Sequence, residues 1–430
     1  MKTIRHHRSP IAAGAALAAG SLLGAGLLLA CASDDAPIGA VSPEADASGN
    51  AQPDSVGEPE NDAGTDVTDA QVPDNRPPFD AAAPAVTCAV TPCIKQIVAG
   101  PKNYCATATD GVVRCWGQAS TLGGFVDAAA PNPGATPVVL EGIGDVVDIA
   151  IGNHDTCVVS AGGGVSCFGS SSRTPEPVPD VANAKKVAVG DSRKCAVLAT
   201  GELHCWGFSY GTGQTDGVVD LGGTKAVETR SQRDSAFALA ADGTLFSWGT
   251  ERYSLGRSTA ISPDLVPAPV SDLPPVFQLA ASDSHVCAIT TAGRLFCWGR
   301  GGDNGAPGLG YVRHEFFPVE VFFSGPIHPS KVVATLTHTC ARMTDSTLTC
   351  WGGMNRQGQL GYASTDGAYI PTEVLTLTKK VIDVAIADDS TCVVLEDGSV
   401  QCFGDNTEGQ LGQSTRDSFR HPFPSTVVFP

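Results

Sequence analysis

The chain is short of bases. Its 27 Lys and Arg stand against 45 Asp and Glu, a formal net charge of −18. That deficit argues against a nucleic-acid partner, whose phosphates require a basic surface. Aromatics are also scarce, at 6% of 430 residues. No segment keeps a sustained helical period of apolar residues, which argues against a helical bundle. What is plentiful is Gly (49) and Pro (30), a composition of many turns and short strands. At 430 residues the chain is too long for one ordinary hydrophobic core and needs several domains or a repeat architecture.

The first residues read as a targeting segment. Lys2, Arg5 and Arg8 precede an Ala-, Leu- and Gly-rich run, residues 11–30, that ends Leu28-Leu29-Ala30-Cys31. Its length suits a membrane span, but small residues directly before a Cys mark a processing site instead. The phrase resembles the lipobox of bacterial lipoproteins. That resemblance implies a signal peptide over 1–30, cleavage before Cys31, lipid attachment at Cys31 and export to the cell envelope. In such lipoproteins an Asp after the lipidated Cys favours inner-membrane retention; Ala32 stands there, which favours the outer membrane. Residues 32–87 then carry 12 acidic residues and one base, Arg76. A segment so charged and so poor in large apolar residues cannot offset the entropy of ordering, so we read 31–87 as the lipidated Cys and a disordered acidic tether. The remainder, 88–430, carries a net charge of −10.

That remainder repeats itself. Seven units share one phrase: Cys105 to Cys115-Trp116-Gly117, Cys157 to Cys167-Phe168-Gly169, Cys195 to Cys205-Trp206-Gly207, Phe237 to Ser247-Trp248-Gly249, Cys287 to Cys297-Trp298-Gly299, Cys340 to Cys350-Trp351-Gly352 and Cys392 to Cys402-Phe403-Gly404. All five Trp of the chain occupy one repeat position, and Phe fills it in the other two units. A position restricted to Trp or Phe is a packing position. The midpoint of each unit is a turn such as Thr109-Asp110-Gly111 or Glu396-Asp397-Gly398, which suits a three-residue hairpin loop ending in a residue with φ > 0. Ser346 breaks that pattern and predicts a different turn in the sixth unit. An apolar run precedes each hairpin, and many units contain a Pro-led strand start. About four short strands per unit, repeated seven times, predict an all-β, seven-bladed β-propeller over 88–430. The first unit lacks its Pro-led strand and the chain ends on one, so residues 422–429 are expected to pair beside 94–99, the N- and C-terminal strands closing one blade.

The phrase Cys402-Phe403-Gly404-Asp405-Asn406-Thr407-Glu408-Gly409-Gln410-Leu411-Gly412 resembles the signature of the regulator-of-chromosome-condensation repeat. Asn355 to Gly361 repeats its core, with weaker echoes at Tyr253 to Gly256 and Gly308 to Gly310. The resemblance implies a seven-bladed propeller whose variable loops bind proteins. The founding member of that family exchanges guanine nucleotide on a small GTPase and sits on chromatin. A secreted relative inhibits β-lactamases. Export and an acidic surface set this chain apart from the founding role.

Six Cys pairs lie ten residues apart across a hairpin turn, opposite one another on adjacent strands, which is within reach of a disulfide. The fourth unit has lost both members together, as Phe237 and Ser247. In an oxidising envelope we expect Cys105–Cys115, Cys157–Cys167, Cys195–Cys205, Cys287–Cys297, Cys340–Cys350 and Cys392–Cys402, with Cys88–Cys93 as a local bridge. Buried thiols and metal binding are the alternatives, and the ten-residue spacing is not that of zinc ligands.

Several phrases imitate chemistry. Gly207-Phe208-Ser209-Tyr210-Gly211 matches the nucleophile-elbow pattern, but it follows the Trp-Gly position, where a surface loop is expected rather than a strand–turn–helix. His154, His285 and His338 lie just before the first Cys of their units and read as strand-entry hydrogen bonds. Asp405 to Gly409 mimics part of a calcium loop without its later Glu. Gly299 to Asn304 lacks the spacing of a phosphate loop. The sequence therefore names no catalytic residue, metal or cofactor. The expected function is a membrane-anchored module, probing a protein or glycan partner with a monomeric propeller. An enzyme with carboxylates or His converging in the channel, and an inhibitor of a secreted hydrolase, are the alternatives. Specificity is expected in the irregular loops Ser120–Pro133 and Glu251–Pro267, and around Tyr311 to Phe317, because exposed aromatics and Arg anchor partners. The alternative for Phe316 and Phe317 is a place in a strand core.

Overall fold

The computed structural model describes residues 78–430 except 128, 171, 192, 208–215, 234, 260–262 and 302–304. Cys31, the tether up to residue 77, and Phe208 to Gly211 of the elbow-like phrase lie outside the described residues.

Seven four-stranded antiparallel sheets form the propeller, with one short 3-10 helix among the described residues, Ala119–Phe125, in an outer loop. Blade 1 comprises Ile94–Ala99, Asn103–Ala108, Val113–Gly117 and Val138–Val139; blade 7 comprises Val381–Ala387, Ser390–Leu395, Val400–Gly404 and His421–Thr426. The apolar run that precedes each hairpin is the innermost strand and lines a central channel. The Pro-led strand is the outermost. Proline has no N–H for a ladder and is tolerated on an edge, so Pro-led segments such as Pro422 to Pro424 sit at the rim.

This arrangement corrects the expected closure. Residues 421–426 pair with Val400–Gly404 of their own blade, and 94–99 pair with 103–108. A Pro-led strand completes the hairpin before it rather than the apolar run after it, so no blade mixes the two ends of the chain. The ring closes through contacts that also join the other blades. The turn residue of one blade accepts a backbone hydrogen bond from the first residue of the next inner strand: Gly398 O from Ile94 N (2.9 Å), Gly201 O from Ala226 N (2.8 Å), Ser346 O from Val381 N (2.9 Å). Ser346 adopts φ 70° and keeps the same turn as its glycine counterparts, contrary to expectation. The carbonyl must point at the next blade, and the left-handed conformation aims it there, at a steric cost for a residue with a Cβ.

All seven expected disulfides are present. The six hairpin pairs have Cα atoms 4.0–4.1 Å apart. The register puts them at the narrow, non-hydrogen-bonded sites of the ladder. In blade 4 a polar network replaces the bridge. Ser247 Oγ donates to Leu255 O (2.7 Å) and accepts from Arg257 Nε (3.1 Å), while Arg257 Nη1 pairs with Asp264 at 2.5 Å.

The recurrent aromatic explains the repeat signature. The outer loop of one blade reaches over the next and inserts a latch, usually a Leu-Gly step. Leu122, Leu255, Leu360 and Leu411 are fully buried. The residue before the step offers its carbonyl to the next blade. Gln410 O accepts from Trp116 Nε1 (2.8 Å), Ser254 O from Trp298 Nε1 (2.7 Å), and Ala306 O from both Trp351 Nε1 and Thr339 Oγ1 (2.8 Å each). Where the aromatic is Phe, a threonine alone donates: Thr391 to Gln359 O (2.8 Å) and Thr156 to Thr121 O (3.0 Å). The latch glycine lies on the ring. A Cβ on Gly361, at φ +72°, would stand 2.8 Å from Phe403 Cε2.

Gly361→Ala therefore destabilises the fold by about 1–3 kcal/mol through overpacking and backbone strain, measurable as a lower urea midpoint with an unchanged slope.

Candidate functional site

The central channel has a volume of about 810 Å³ and is lined by all seven inner strands. Each inner strand carries a bulge near its start, and the residue after the bulge is polar in every blade: Gln96, Asp148, Lys186, Glu228, Gln278, Lys331 and Asp383. These side chains stitch neighbouring blades. Asp148 accepts from Val187 N (2.8 Å) and pairs with Lys186 (3.0 Å); Gln278 accepts from Val332 N (2.8 Å); Asp383 accepts from Ile97 N (2.9 Å) and pairs with Lys331 at 2.5 Å. Glu228 pairs with Arg230. The channel carboxylates are thus committed to cations and backbone N–H groups, the chemistry of a structural ring rather than of an acid–base pair.

One mouth of the channel is capped by the chain itself. Phe79 packs edge-on against Phe277 and His328, with centroids 5.5 and 5.8 Å away. Buried Arg342 donates to Ala81 O (3.0 Å), and Ala81 and Ala83 line the channel. Thr87 N and Ala89 N then donate to Glu396 O and Asp397 O at the turn of blade 7 (2.7 and 3.0 Å). This strap crosses the hairpin-turn face.

The opposite mouth, on the loop face, is a smaller cavity of about 210 Å³ ringed by residues that include Asn153, Asp191, Arg233, Asp283, Leu336 and Asp388. Burial pushes the Asp388 carboxyl up to about 6; Asp389 and Asp283 add to the shift and Lys102 opposes it. Among the described residues, no group of three or more His, Cys, Asp or Glu is arranged to hold a metal ion.

The three flagged histidines do not converge. His285 and His338 are equivalent and buried, and each bridges to the next blade: His285 Nε2 to Thr339 Oγ1 (2.6 Å) and His338 Nε2 to Thr391 Oγ1 (2.9 Å). Their Nδ1 atoms meet the Ser284 (2.9 Å) and Thr337 (3.0 Å) hydroxyls. His154 stands one position earlier in its loop and is exposed. The calcium-like phrase is a closed turn. Asp405 accepts from Thr407 Oγ1 (2.6 Å) and Gln410 Nε2 (2.8 Å), and Asn406 Oδ1 from Leu411 N (3.2 Å).

The surface that best fits recognition lies on the rim of the loop face, between blades 4 and 5. Tyr253 stacks at a tilt on His314 (5.0 Å) and Phe316 (4.6 Å). The Arg252 guanidinium lies 5.4 Å from both the Tyr253 and Phe316 rings, and that of Arg300 lies 5.6 Å from Tyr253. Arg313 covers Tyr311 at 4.5 Å and is held by Glu315 at 2.6 Å; Arg300 is paired with Glu251. Phe316 and Phe317 are exposed, at 37% and 46%, so they are not core strand residues. Two of the loop segments flagged in the sequence meet here. The sequence did not foretell that they would share one cluster, since Tyr253 and Phe316 are 63 residues apart.

Residues 278–305 and 381–410 match one profile of the regulator of chromosome condensation (RCC1) repeat, and residues 348–394 match a second. The chain carries RCC1 repeats on a seven-bladed propeller. It is 31% identical over 198 residues to the ultraviolet-B receptor UVR8 of Arabidopsis thaliana, covering 45% of this chain and 44% of that protein. It is 28% identical over 210 residues to the human E3 ubiquitin-protein ligase HERC2, covering 48% of this chain and 4% of the ligase. The chain thus spans less than half the length of these curated relatives. Among solved structures it resembles Prp20p of Saccharomyces cerevisiae, with a TM-score of 0.65 at 17% identity over 81% of this chain and 90% of that one. It also resembles human WBSCR16, with a TM-score of 0.62 at 21% identity over 72% and 88%. At these identities the likeness to solved structures is one of fold.

The buried histidines have a consequence for acid stability. Burial holds both down at about 3, and the proximity of His285 adds to the effect at His338. In the unfolded chain each protonates near its ordinary value of about 6.5. Between those values the unfolded state binds more protons, so these groups cost stability as pH falls from about 6.5 towards 3. Asp388, raised to about 6, acts in the opposite sense. His338→Asn, which places there the residue that blade 1 has at Asn103, should lose less of its urea midpoint between pH 7 and 4 than the parent chain. An equal loss would show that His338 does not titrate on unfolding in this range.

Proposed function

We propose that the chain is a lipid-anchored protein-binding module of the bacterial cell envelope that engages a protein through the loop-face rim of blades 4 and 5. The observation that carries this reading is the rim cluster of exposed Arg252, Arg300, His314 and Phe316 around half-buried Tyr253. Aromatic and Arg side chains dominate binding hot spots, because they bring large rigid area and several donors to a small patch. RCC1-like propellers serve as protein-binding or exchange-factor modules, and Prp20p is described by its binding to Gsp1p and histones. The lipobox-like Leu28-Leu29-Ala30-Cys31 and the acidic stretch that follows support anchoring outside the cytosol. That placement favours a binding role over exchange on a cytosolic GTPase.

Two experiments test the two halves of this reading. Cys31→Ala should move the protein from the membrane pellet to the soluble envelope fraction of the source cells; unchanged pelleting would remove the lipid anchor from the proposal. Affinity capture from envelope and secreted fractions should retain one dominant protein with the parent chain. An Arg252→Ala, Tyr253→Ala chain should lose it, because two hot-spot truncations of about 2 kcal/mol each weaken binding several-hundredfold. Retention by that variant would place the contact elsewhere, and capture of a polysaccharide instead would replace a protein partner with a glycan.

A further inference from the structure

We propose that the seam between blades 2 and 3 is an unfilled latch socket that binds a Leu-Gly turn supplied by a partner protein. This site is separate from the blade 4–5 rim and does not depend on it. Among the described residues, five blades (1, 4, 5, 6 and 7) place a latch on their neighbour, from outer loops of 14 to 20 residues. Blade 2 has only six residues between Gly169 and Glu176, and they contain no Leu-Gly step. They turn the other way: Arg173 O accepts from Gly124 N (2.6 Å) in the loop of blade 1.

The receiving side of the socket is nevertheless intact. Blade 3 keeps the aromatic at Trp206. It is partly exposed, whereas Trp116, Trp248, Trp298 and Trp351 are 0% exposed. No described residue accepts a hydrogen bond from its indole N–H. Across the hairpin from Trp206 stands Lys194, at the position where blade 6 has Thr339, the second donor to the latch carbonyl. Lys194 is paired at 2.8 Å with Asp155 of blade 2, so its charge is tied to the far side of the same seam.

The seam therefore offers the Trp206 indole N–H at the repeat position that donates to a carbonyl in the latched Trp seams, packed against an apolar cluster that includes Cys157, Val159 and Ala196. The molecule specifies its own ligand. It is a tight turn with a carbonyl to accept from Trp206 Nε1, a Leu to enter the seam, and a Gly thin enough to lie on the ring. A side chain at the Gly position would collide with the indole, as a Cβ at Gly308 would come within 2.4 Å of Trp351 Nε1.

A peptide copying residues 406–414, the chain's own latch from blade 7, is the probe. Added to the full chain in detergent, it should bind saturably by calorimetry and suppress acrylamide quenching of Trp206, the partly exposed indole. The same peptide with Asp in place of its Leu should do neither. Trp206→Phe is a conservative variant, since Phe168 and Phe403 fill the position elsewhere. It should weaken peptide binding about fivefold to tenfold, the loss of one indole hydrogen bond. Replacing Ser170–Pro175 with the blade 7 loop should fill the socket in cis, shielding Trp206 and abolishing peptide binding. Absence of saturable binding by the parent chain would overturn the proposal, as would equal binding by the loop-replaced chain. An Arg252→Ala chain should bind the peptide normally, which separates this site from the rim.

Discussion

Each blade is a sheet too small to stand alone, and the structure depends on how one blade's loop meets the next blade's aromatic. A four-stranded twisted sheet has two apolar faces and no helix to cover either, so its faces must be buried against its neighbours. The latch makes that contact specific. At Trp116, Trp298 and Trp351 a carbonyl satisfies the indole N–H that burial would otherwise leave orphaned, the leucine fills the seam, and the glycine allows backbone to lie on a ring. The Trp-Gly and Leu-Gly phrases of the sequence are the two halves of one joint, separated by a blade.

That joint explains which parts of the molecule were legible in advance. The aromatic position, the paired cysteines and the turn residues repeat because local geometry demands them, so blade number, hairpins and disulfides could be read from a single chain. The partner of each phrase could not. Linear order does not say whether a Pro-led strand completes the hairpin before it or the run after it, and the wrong choice there led to the expectation of a shared closing blade. Ser346 misled for a related reason. Its turn type is set by a carbonyl that Val381 needs, a long-range demand that overrides the residue's own preference.

The candidate surfaces were legible only as loose parts. Arg252, Tyr253, Arg313, His314 and Phe316 were visible as residues of irregular loops, but the propeller's curvature brings them together. The histidines were visible as a recurrence, and the structure turns two of them into bridges between blades while leaving His154 in solvent. The polar ring of the channel had no signal at all in sequence. Its members lie just past a bulge in each inner strand, and a bulge reverses the face that alternation would assign to them.

The strap at residues 78–93 gives the domain a polarity. The chain enters on the hairpin-turn face, wedges Phe79 beside blade 5, passes Arg342 in blade 6 and reaches blade 7 before the first strand begins. The rim cluster and the acidic mouth belong to the other face. The point of entry and the proposed recognition surface are therefore set on opposite sides by topology alone. A pull on the N-terminal end is met first by an aromatic wedge and a buried guanidinium, so the domain resists tension at its cap before any blade is loaded.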